Sequence, residues 1–372
     1  MNKRLIIFSN SSTNIVKLRK NLLSYLHKKK FNITICIPET NNSEFNDLKN
    51  KYNFELLIIK YHRSSLNIFS NLLYLYNVYN ILKKKNHDLI ITFTIKPNIL
   101  VSLSNIFTKI KIINVITGLG SSFFSNIILK NLIFFLYKIS LSKSQCIIFQ
   151  NFDDRDYFLD KKIIKYNNSA VILGSGVDTT EFNYSYKKFD KKNIQYLYAG
   201  RLIKDKGINE LINSFKIILE KNNNIELKIA GEIDYQNPSK IQINQINKIN
   251  NSKIKFVGNL KNLKHLIQES DFCILLSYRE GLSNFLIESA STGRPLLSTN
   301  VPGSKEIVNQ SNGFTCQKKN IKDTIRMINE SLSINDNEYQ RMSIMSRKIA
   351  VKNFDNKIVL NKLLKIIDNI LN

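Results

Sequence analysis

Short apolar runs alternate with longer segments of helical spacing through the first half of the chain. Residues 13–30 and 67–85 repeat apolar side chains every three or four positions, as one face of a helix does. The shorter runs have the length of buried strands, and they lie at 5–9, 31–37, 54–61, 89–95, 112–116 and 146–150. Strands that alternate with helices predict a parallel sheet with helices on both faces.

The same alternation resumes after a polar, unpatterned stretch at 180–192, which predicts a linker between two domains. Apolar runs that predict strands follow at 194–199, 227–231, 254–258, 272–276 and 296–297, and helical spacing predominates beyond residue 320. The pattern therefore predicts an α/β protein with two doubly wound domains, the first over 1–180 and the second over 192–355.

The segment 271–306 contains most of the candidate chemistry. A strand at 272–276 ends in polar residues, and Ser283 can cap a helix over 283–292. Pro302-Gly303 predicts a turn into a further helix. The order of strand, loop, helix and strand is one repeat of a doubly wound sheet.

Two glutamates in this segment are candidate ligand contacts. Glu280 lies in the loop and Glu288 about two turns into the helix, so both carboxylates can face one crevice. There they can accept hydrogen bonds from sugar hydroxyls. The backbone amides of residues 283–286, at the start of the helix, can bind a phosphate. The alternative for both glutamates is ordinary exposure to solvent.

Two cations follow the first strand of the second domain. Arg201 and Lys206 lie between the strand at 194–199 and a helix at about 208–221. A guanidinium can bind a phosphate through two parallel hydrogen bonds, and a lysine adds a compact charge. Both together at a helix start suit a diphosphate, although a basic loop can also be merely solvated.

The glycines and acids of the first domain bear on whether the chain binds a dinucleotide or a metal ion. Gly118 and Gly120 follow the strand at 112–116, where glycines let a ligand approach the backbone, or simply form a tight turn. No Gly-x-Gly-x-x-Gly follows the first strand, which argues against a dehydrogenase. Asp154-x-Asp156 matches a metal-binding pattern of another fold, but it opens a helix and offsets the helix dipole. We therefore predict no metal and no cofactor.

The spacing of Glu280 and Glu288 gives a Glu-x7-Glu pattern that closely resembles the signature of retaining family 4 glycosyltransferases of the GT-B type. The flanks match too, with SYREGL before and GRPLLSTNVPGSKEIV after. The resemblance implies that Glu280 contacts the transferred sugar and Glu288 the ribose of the nucleotide. It implies that Arg201 and Lys206, spaced as Arg-x4-Lys, bind the diphosphate. It implies further sugar-nucleotide contacts at Ser283, Asn284, Phe285, Leu286, Gly118, Gly120 and Gly258.

The same resemblance implies an architecture. It is the GT-B fold, in which two Rossmann-like domains with parallel sheets face each other across a cleft. The first domain would bind the acceptor and the second the nucleotide sugar. The last helix, at about 356–372, would pack back on the first domain.

Other runs resemble a narrower group, the N-acetylgalactosaminyltransferases that act on undecaprenyl-diphosphate-linked amino sugars. They are SNSSTNIVKLR, FTIKPNIL, NVITGLGSSF and ILGSGVD. The resemblance implies transfer of an N-acetylhexosamine from a UDP-sugar to a polyprenyl-diphosphate-linked saccharide, with retained anomeric configuration. Group members commonly have Pro-Arg-Ser where this chain has Ser283-Asn284-Phe285, which leaves the sugar open.

Two other functions remain as alternatives. One is a UDP-sugar 2-epimerase, which shares the fold. The other is a nucleic-acid-binding protein, which the net charge of +26 would suit, but no nucleic-acid-binding module is recognised. We therefore predict no nucleic-acid partner.

The charge is concentrated in the first domain, where residues 1–150 have 21 Lys or Arg against 5 Asp or Glu. Within it, the apolar segment 123–141 contains Lys130 and Lys138, which argue against a membrane-spanning helix. The segment could lie at an anionic membrane surface or pack inside the domain. Cys36, Cys146, Cys273 and Cys316 are far apart and no signal peptide is visible, so we predict a cytoplasmic protein with reduced thiols, peripherally associated with the cytoplasmic membrane.

Overall fold

The computed structural model describes residues 3–39, 43–60, 67–84, 86–120, 127–235, 237, 239–241, 252–260 and 262–372. The chain forms two compact units. The first contains Met1–Ser175 and Lys357–Asn372, and the second contains Gly176–Asn356. Each unit is built on one parallel sheet with helices, so the predicted α/β class is confirmed.

The first unit contains a seven-stranded sheet in the order β3-β2-β1-β4-β5-β6-β7. Every neighbouring pair in it is parallel. Its strands are β1 Arg4–Phe8, β2 Asn32–Ile37, β3 Glu55–Ile58, β4 Leu89–Phe93, β5 Lys111–Ile116, β6 Cys146–Phe149 and β7 Ser169–Val171. The apolar residues of β1 and β4 are buried on both faces, which is why they read as continuous hydrophobic runs.

Helices cover both faces of this sheet. One face carries α1 Ser12–Lys28, α2 Ser43–Tyr52 and α12 Asn356–Leu371, and the other carries α3 Ile68–Lys84, α4 Ile95–Thr108, α5 Ile127–Ser140 and α6 Phe152–Asp160. The C-terminal helix α12 contributes Val359, Leu364 and Ile367 to the core of the first unit. On the other face, α4 packs against both α3 and α5.

The apolar segment 123–141 is only partly described. Residues 123–126 lie outside the described residues, and most of the remainder forms α5. One face of α5 packs on the unit through buried Tyr137, whereas Ile128 and Phe135 on the opposite face are exposed. No helix in the described ranges is long and apolar enough to cross a membrane.

The second unit contains a six-stranded parallel sheet in the order β10-β9-β8-β11-β12-β13. Its strands are β8 Ile194–Ala199, β9 Ile225–Ala230, β10 Ile254–Gly258, β11 Phe272–Leu275, β12 Leu296–Thr299 and β13 Gly313–Cys316. Its helices, within the described ranges, are α7 Ile208–Leu219, α8 Lys264–Glu269, α9 Asn284–Ser291, α10 Ile321–Ser333 and α11 Asp336–Asn353.

Residues 180–192 are held on the second unit instead of forming a free linker. The fully buried Arg294 donates a hydrogen bond to the carbonyl oxygen of Ser185. Arg347 of α11 donates to the carbonyl oxygen of Phe182 at 3.0 Å. These two guanidinium groups satisfy backbone carbonyls of the polar segment, and they come from positions more than one hundred residues away. The segment that local composition predicts to be a linker therefore belongs to the second unit.

Candidate active site

The strand order of the second sheet reverses at β8, which lies between β9 and β11. In open α/β sheets, ligands bind outside the carboxyl ends of the strands at such a point. The loops that leave β8 and β11 meet there. A Cβ on Gly207 would lie 2.0 Å from the carbonyl oxygen of Leu276, so only glycine allows this approach. Tyr278 N also donates to the carbonyl oxygen of Asp205 at 2.9 Å.

Lys206 and Glu280 form an ion pair across these two loops. The ammonium nitrogen of Lys206 contacts Oε1 of Glu280, and both side chains are largely shielded from water. Ser277 Oγ donates to the same carboxylate oxygen at 2.5 Å. A charge-assisted pair in a partly buried place is stronger than a surface pair because water screens it less. The structure thus brings together two predicted site residues that are 74 positions apart.

A turn at residues 302–303 packs against the backbone of Glu280. Glu280 N donates to the carbonyl oxygen of Pro302 at 3.0 Å, and Ser283 N donates to that of Gly303 at 3.2 Å. A Cβ on Gly303 would lie 2.6 Å from three atoms of Glu280. The helix predicted after Pro302-Gly303 is wrong, because residues 302–307 form turns. The dipeptide signals a turn, but its place against Glu280 has no sequence signal.

The helix start predicted to bind an anion is the N-terminus of α9. Ser283 is its N-cap, and its Oγ accepts a hydrogen bond from Leu286 N at 3.3 Å. The amides of Ser283 and Leu286 therefore donate within the protein, and Asn284 and Phe285 lie between them in the first turn. Glu288 lies in the second turn, half-buried. Its role toward the ribose stays a prediction.

Arg201 lies on the same edge, in the loop after β8. Tyr198 donates its hydroxyl hydrogen bond to the carbonyl oxygen of Arg201 at 3.1 Å. Burial raises the pKa of the Tyr198 hydroxyl well above its ordinary value, the charge of Glu280 raises it further, and the charge of Arg201 lowers it. The buried Tyr198 therefore lies within electrostatic range of both site residues.

Arg201 also has a partner that sequence reasoning missed. Its Nη1 lies 2.7 Å from Oδ2 of Asp234, with the arginine 45% exposed and the aspartate 10% exposed. Asp234 follows β9, the neighbour of β8 in the sheet. Acids after the strand next to a switch point could have been searched for, but nothing in the local pattern distinguishes this one.

The predicted nucleotide contact at Gly258 lies one strand farther along the edge. Gly231 N donates to the carbonyl oxygen of Gly258 at 2.8 Å, which joins the ends of β9 and β10. Gly258 has a φ of +75°, and, apart from its two chain neighbours, no described residue has an atom within 4 Å of where its Cβ would be. The space beside this backbone is open, as a ligand approaching it would require.

Gly118 and Gly120 belong to the first unit, at the carboxyl end of β5. Both have left-handed backbone conformations, with φ of +106° and +55°, which favour glycine. Half-buried Gly118 and exposed Gly120 lie directly after the strand, as the pattern predicts. Their contact with a sugar nucleotide remains a prediction.

The acids at the start of α6 are engaged within the protein. Asn151 is the N-cap, and its Nδ2 donates to the carboxylate of the buried Asp154 at 3.1 Å. Asp156 pairs with Arg155 at 3.0 Å. Within the described part of the chain, no three His, Cys, Asp or Glu side chains are grouped to hold a metal ion. That the protein needs no metal remains a prediction.

Two family models match the chain, one for each unit. Residues 5–151 match the model described as Glycosyl transferase 4-like. Residues 179–349 match the model described as Glycosyl transferases group 1. The second match spans the loops that carry Arg201, Lys206, Glu280 and Glu288.

Two relatives are similar over most of their length. The N,N'-diacetylbacillosaminyl-diphospho-undecaprenol alpha-1,3-N-acetylgalactosaminyltransferase of Campylobacter jejuni is 23% identical, over 99% of both chains. The UDP-Gal:alpha-D-GlcNAc-diphosphoundecaprenol alpha-1,3-galactosyltransferase of Escherichia coli is 24% identical, over 79% of this chain and 76% of its own.

Solved structures of low sequence identity share the fold. HepE of Anabaena, in complex with UDP and glucose, superposes with a TM-score of 0.78 over 99% of this chain and 100% of its own, at 13% identity. A glycosyltransferase of Rickettsia africae superposes with a TM-score of 0.76 over 100% of this chain and 99% of its own, at 18% identity. With the two family matches, these findings establish that the chain is a GT-B glycosyltransferase that joins a glycosyltransferase 4-like domain to a glycosyltransferases group 1 domain.

Proposed function

We propose that the enzyme transfers an N-acetylhexosamine from a UDP-sugar to a polyprenyl-diphosphate-linked saccharide with retention of anomeric configuration. The observation that carries the proposal is the contact between Lys206 and Glu280, with Arg201 on the same carboxyl edge of the sheet. A cation suited to a diphosphate therefore lies beside a carboxylate suited to sugar hydroxyls, and a second cation follows the same strand, β8. The relatives in Campylobacter jejuni and Escherichia coli, whose names specify diphospho-undecaprenol acceptors, support the acceptor class.

The chemistry follows from where charge develops. The bond between the anomeric carbon and the diphosphate oxygen breaks, and negative charge builds on the departing diphosphate. Lys206 and Arg201 stabilise that charge, because both cations lie at the carboxyl edge of the sheet before the reaction begins. The acceptor hydroxyl oxygen bonds to the anomeric carbon on the same face of the sugar, and its proton passes to the departing phosphate oxygen. Glu280 orients the sugar and Glu288 the ribose.

The acceptor also implies a location. A polyprenyl chain is anchored in a lipid bilayer, so its saccharide is presented at the bilayer surface. The basic first unit suits contact with an anionic membrane, and the proposal places the enzyme peripherally on the cytoplasmic membrane. It requires neither a metal nor a cofactor. The epimerase and nucleic-acid alternatives are not carried forward, because both family matches are to glycosyltransferases.

The test is a reconstituted reaction. The purified protein is incubated with a panel of UDP-sugars and a polyprenyl-diphosphate-linked saccharide, and the product is analysed by mass and linkage. A lipid-linked product with the α linkage expected for an α-linked UDP-sugar supports the proposal. Release of a free amino sugar without the lipid acceptor would contradict it and favour an epimerase.

Site variants test the residue roles. Lys206→Ala should lower kcat by about 10²- to 10³-fold, the usual effect of removing one preorganised group that stabilises transition-state charge. Lys255→Ala is the matched control, because Lys255 pairs with Glu226 at 2.8 Å between the neighbouring strands β10 and β9. Equal turnover in the two folded variants would refute the role of Lys206.

A further inference from the structure

The first unit exposes a large apolar surface on one helical layer. Among the residues that the structure describes, eleven of the twenty strongly exposed large apolar side chains lie on α3, α4 and α5. They are Ile68, Phe69, Leu72, Leu73 and Tyr76 of α3, Phe107 of α4, and Ile127, Ile128, Leu132, Phe135 and Ile139 of α5. Such clustering marks an interaction surface, since single exposed apolar residues are normally scattered.

Helix α3 has two apolar faces. Tyr74, Val78 and Leu82 face the sheet and belong to the core of the unit. Phe69 and Leu73, one turn apart on another face, are 83% and 61% exposed. A helix on the surface of a soluble domain needs only one apolar face, so the second face of α3 has no role in folding this unit.

Helix α5 repeats this arrangement on the other side of α4. Ile128, Leu132 and Phe135 are spaced by four and three residues, so they form one stripe along the helix, and all three are exposed. Because α4 packs against both α3 and α5, the two stripes belong to one layer on one side of the sheet. We call this layer the apolar platform.

The charge of the platform identifies its partner. Helices α3, α4 and α5 contain five lysines and no Asp or Glu. Apolar side chains beside lysines and without acids match an anionic lipid surface, in which the former enter the acyl boundary and the latter meet the headgroups. A second copy of the chain fits poorly, because two basic faces would repel each other.

The platform also has a useful orientation. Helices that connect parallel strands run antiparallel to them, so the exposed start of α3 lies at the carboxyl edge of the sheet. Gly118 and Gly120 lie at that same edge. A saccharide that protrudes from the bilayer would therefore meet this edge directly.

From these observations we infer that α3 and α5 together form a two-helix membrane-docking platform for anionic lipid, with α4 between them. The inference rests on the proposed function for its purpose, because the platform brings the enzyme to a lipid-linked acceptor. The inference gives α3 a role in membrane binding, whereas the sequence pattern predicts only that α3 is an amphipathic helix.

The test is flotation with two kinds of vesicle, one of phosphatidylcholine alone and one that also contains phosphatidylglycerol. The unmodified enzyme should bind the anionic vesicles, and binding should weaken as salt rises. The double variant Phe69→Ser, Leu73→Ser should lower the bound fraction on the order of tenfold or more, because two apolar side chains leave the lipid. Ile344→Ser with Val351→Ser on α11 is the matched control, as both side chains are exposed in the second unit.

Three results would overturn the inference. The α3 variant could bind anionic vesicles as well as the control does. The unmodified enzyme could bind neutral and anionic vesicles equally, which would remove the argument from charge. Sedimentation could reveal a dimer that the α3 variant abolishes, which would assign the platform to a second copy.

Sugar transfer, the proposed function, is tested separately from membrane binding. Transfer to a water-soluble acceptor with a short prenyl chain needs no membrane, so the α3 variant should retain the turnover of the unmodified enzyme. If the unmodified enzyme transfers no sugar to any acceptor, the proposed function fails whatever the vesicles show. If it transfers normally but α3 is irrelevant to vesicle binding, only the platform fails.

Discussion

Replacing Gly303 by alanine should disturb Glu280 without touching any charged group. Gly303 has a φ of +81°, where an L-residue costs about 1–2 kcal/mol. Its Cβ would lie 2.6 Å from the backbone carbon, carbonyl oxygen and Cβ of Glu280. Ordinary contact begins near 3.4 Å, so the turn or Glu280 must move by about 0.8 Å. The atoms in contact are backbone and Cβ atoms, which cannot move aside as the end of a flexible side chain can.

The magnitude has two parts. Overpacking of this kind typically costs about 1–3 kcal/mol beyond the φ term. The second unit has 181 residues, from 176 to 356, for which each kcal/mol lowers the Tm by roughly 2–4 °C. Displacement of a reacting group by about 1 Å can lower turnover about 100-fold. Gly303→Ala should therefore fold, melt several degrees lower and turn over about 100-fold more slowly.

Two other glycines separate these effects. Gly258→Ala has a similar φ of +75° but open space around the new methyl group, so it should show the φ term alone. Gly293→Ala has a φ of +84° and a Cβ 2.6 Å from the ring of Tyr184, away from Glu280, so it should lose stability while keeping its turnover. Circular dichroism at 222 nm follows unfolding, because the chain has no tryptophan for fluorescence.

The reasoning is refuted in either of two ways. If Gly303→Ala melts at the temperature of Gly258→Ala, the close approach to Glu280 is not real. If it melts lower but its kcat equals that of Gly293→Ala, the position of Glu280 does not govern turnover.

Three further predictions follow from single contacts. Asp234→Asn should tighten UDP binding roughly two- to fivefold by calorimetry, because Arg201 no longer exchanges an ion pair for the diphosphate; unchanged affinity would mean that the pair is irrelevant. Burial raises the pKa of both Cys36 and Cys273 to about 12 from 9.0, so above about pH 9 the unfolded chain releases protons that the folded chain keeps. The free energy of unfolding should therefore fall as pH rises above about 9. A free energy from urea denaturation that stays constant over that pH range would contradict this. Arg347→Met should lower that free energy by about 2–3 kcal/mol, since backbone carbonyls lose a charged donor, and a loss below about 0.5 kcal/mol would show that water replaces it.

The sequence alone established a large part of the fold. The strands β8 and β11 were predicted within one residue, because buried parallel strands are short continuous apolar runs. Helix α9 was predicted with its cap, because Ser283 stands directly before a run of helical spacing. These features depend on residues a few positions apart, so the pattern that produces them can be read directly from the sequence.

The site was predictable in composition but not in pairing. Lys206 and Glu280 could be named because each follows a predicted strand and because their spacings resemble a family signature. Their direct contact depends on β8 lying beside β11, which sets two loops 74 positions apart against each other. The pairing of Arg201 with Asp234 depends in the same way on β9 lying beside β8.

Local pattern thus determined the elements, the α/β class and the residue types available for chemistry. Tertiary structure decided that 180–192 is bound to the second unit, that Gly303 supports Glu280, and that one apolar face of α3 stays exposed. The physical reason is that helices and strands form from periodicity over neighbouring residues. Contacts between distant residues, and the choice of which apolar face is buried, are fixed only when the order of strands in each sheet brings particular surfaces together.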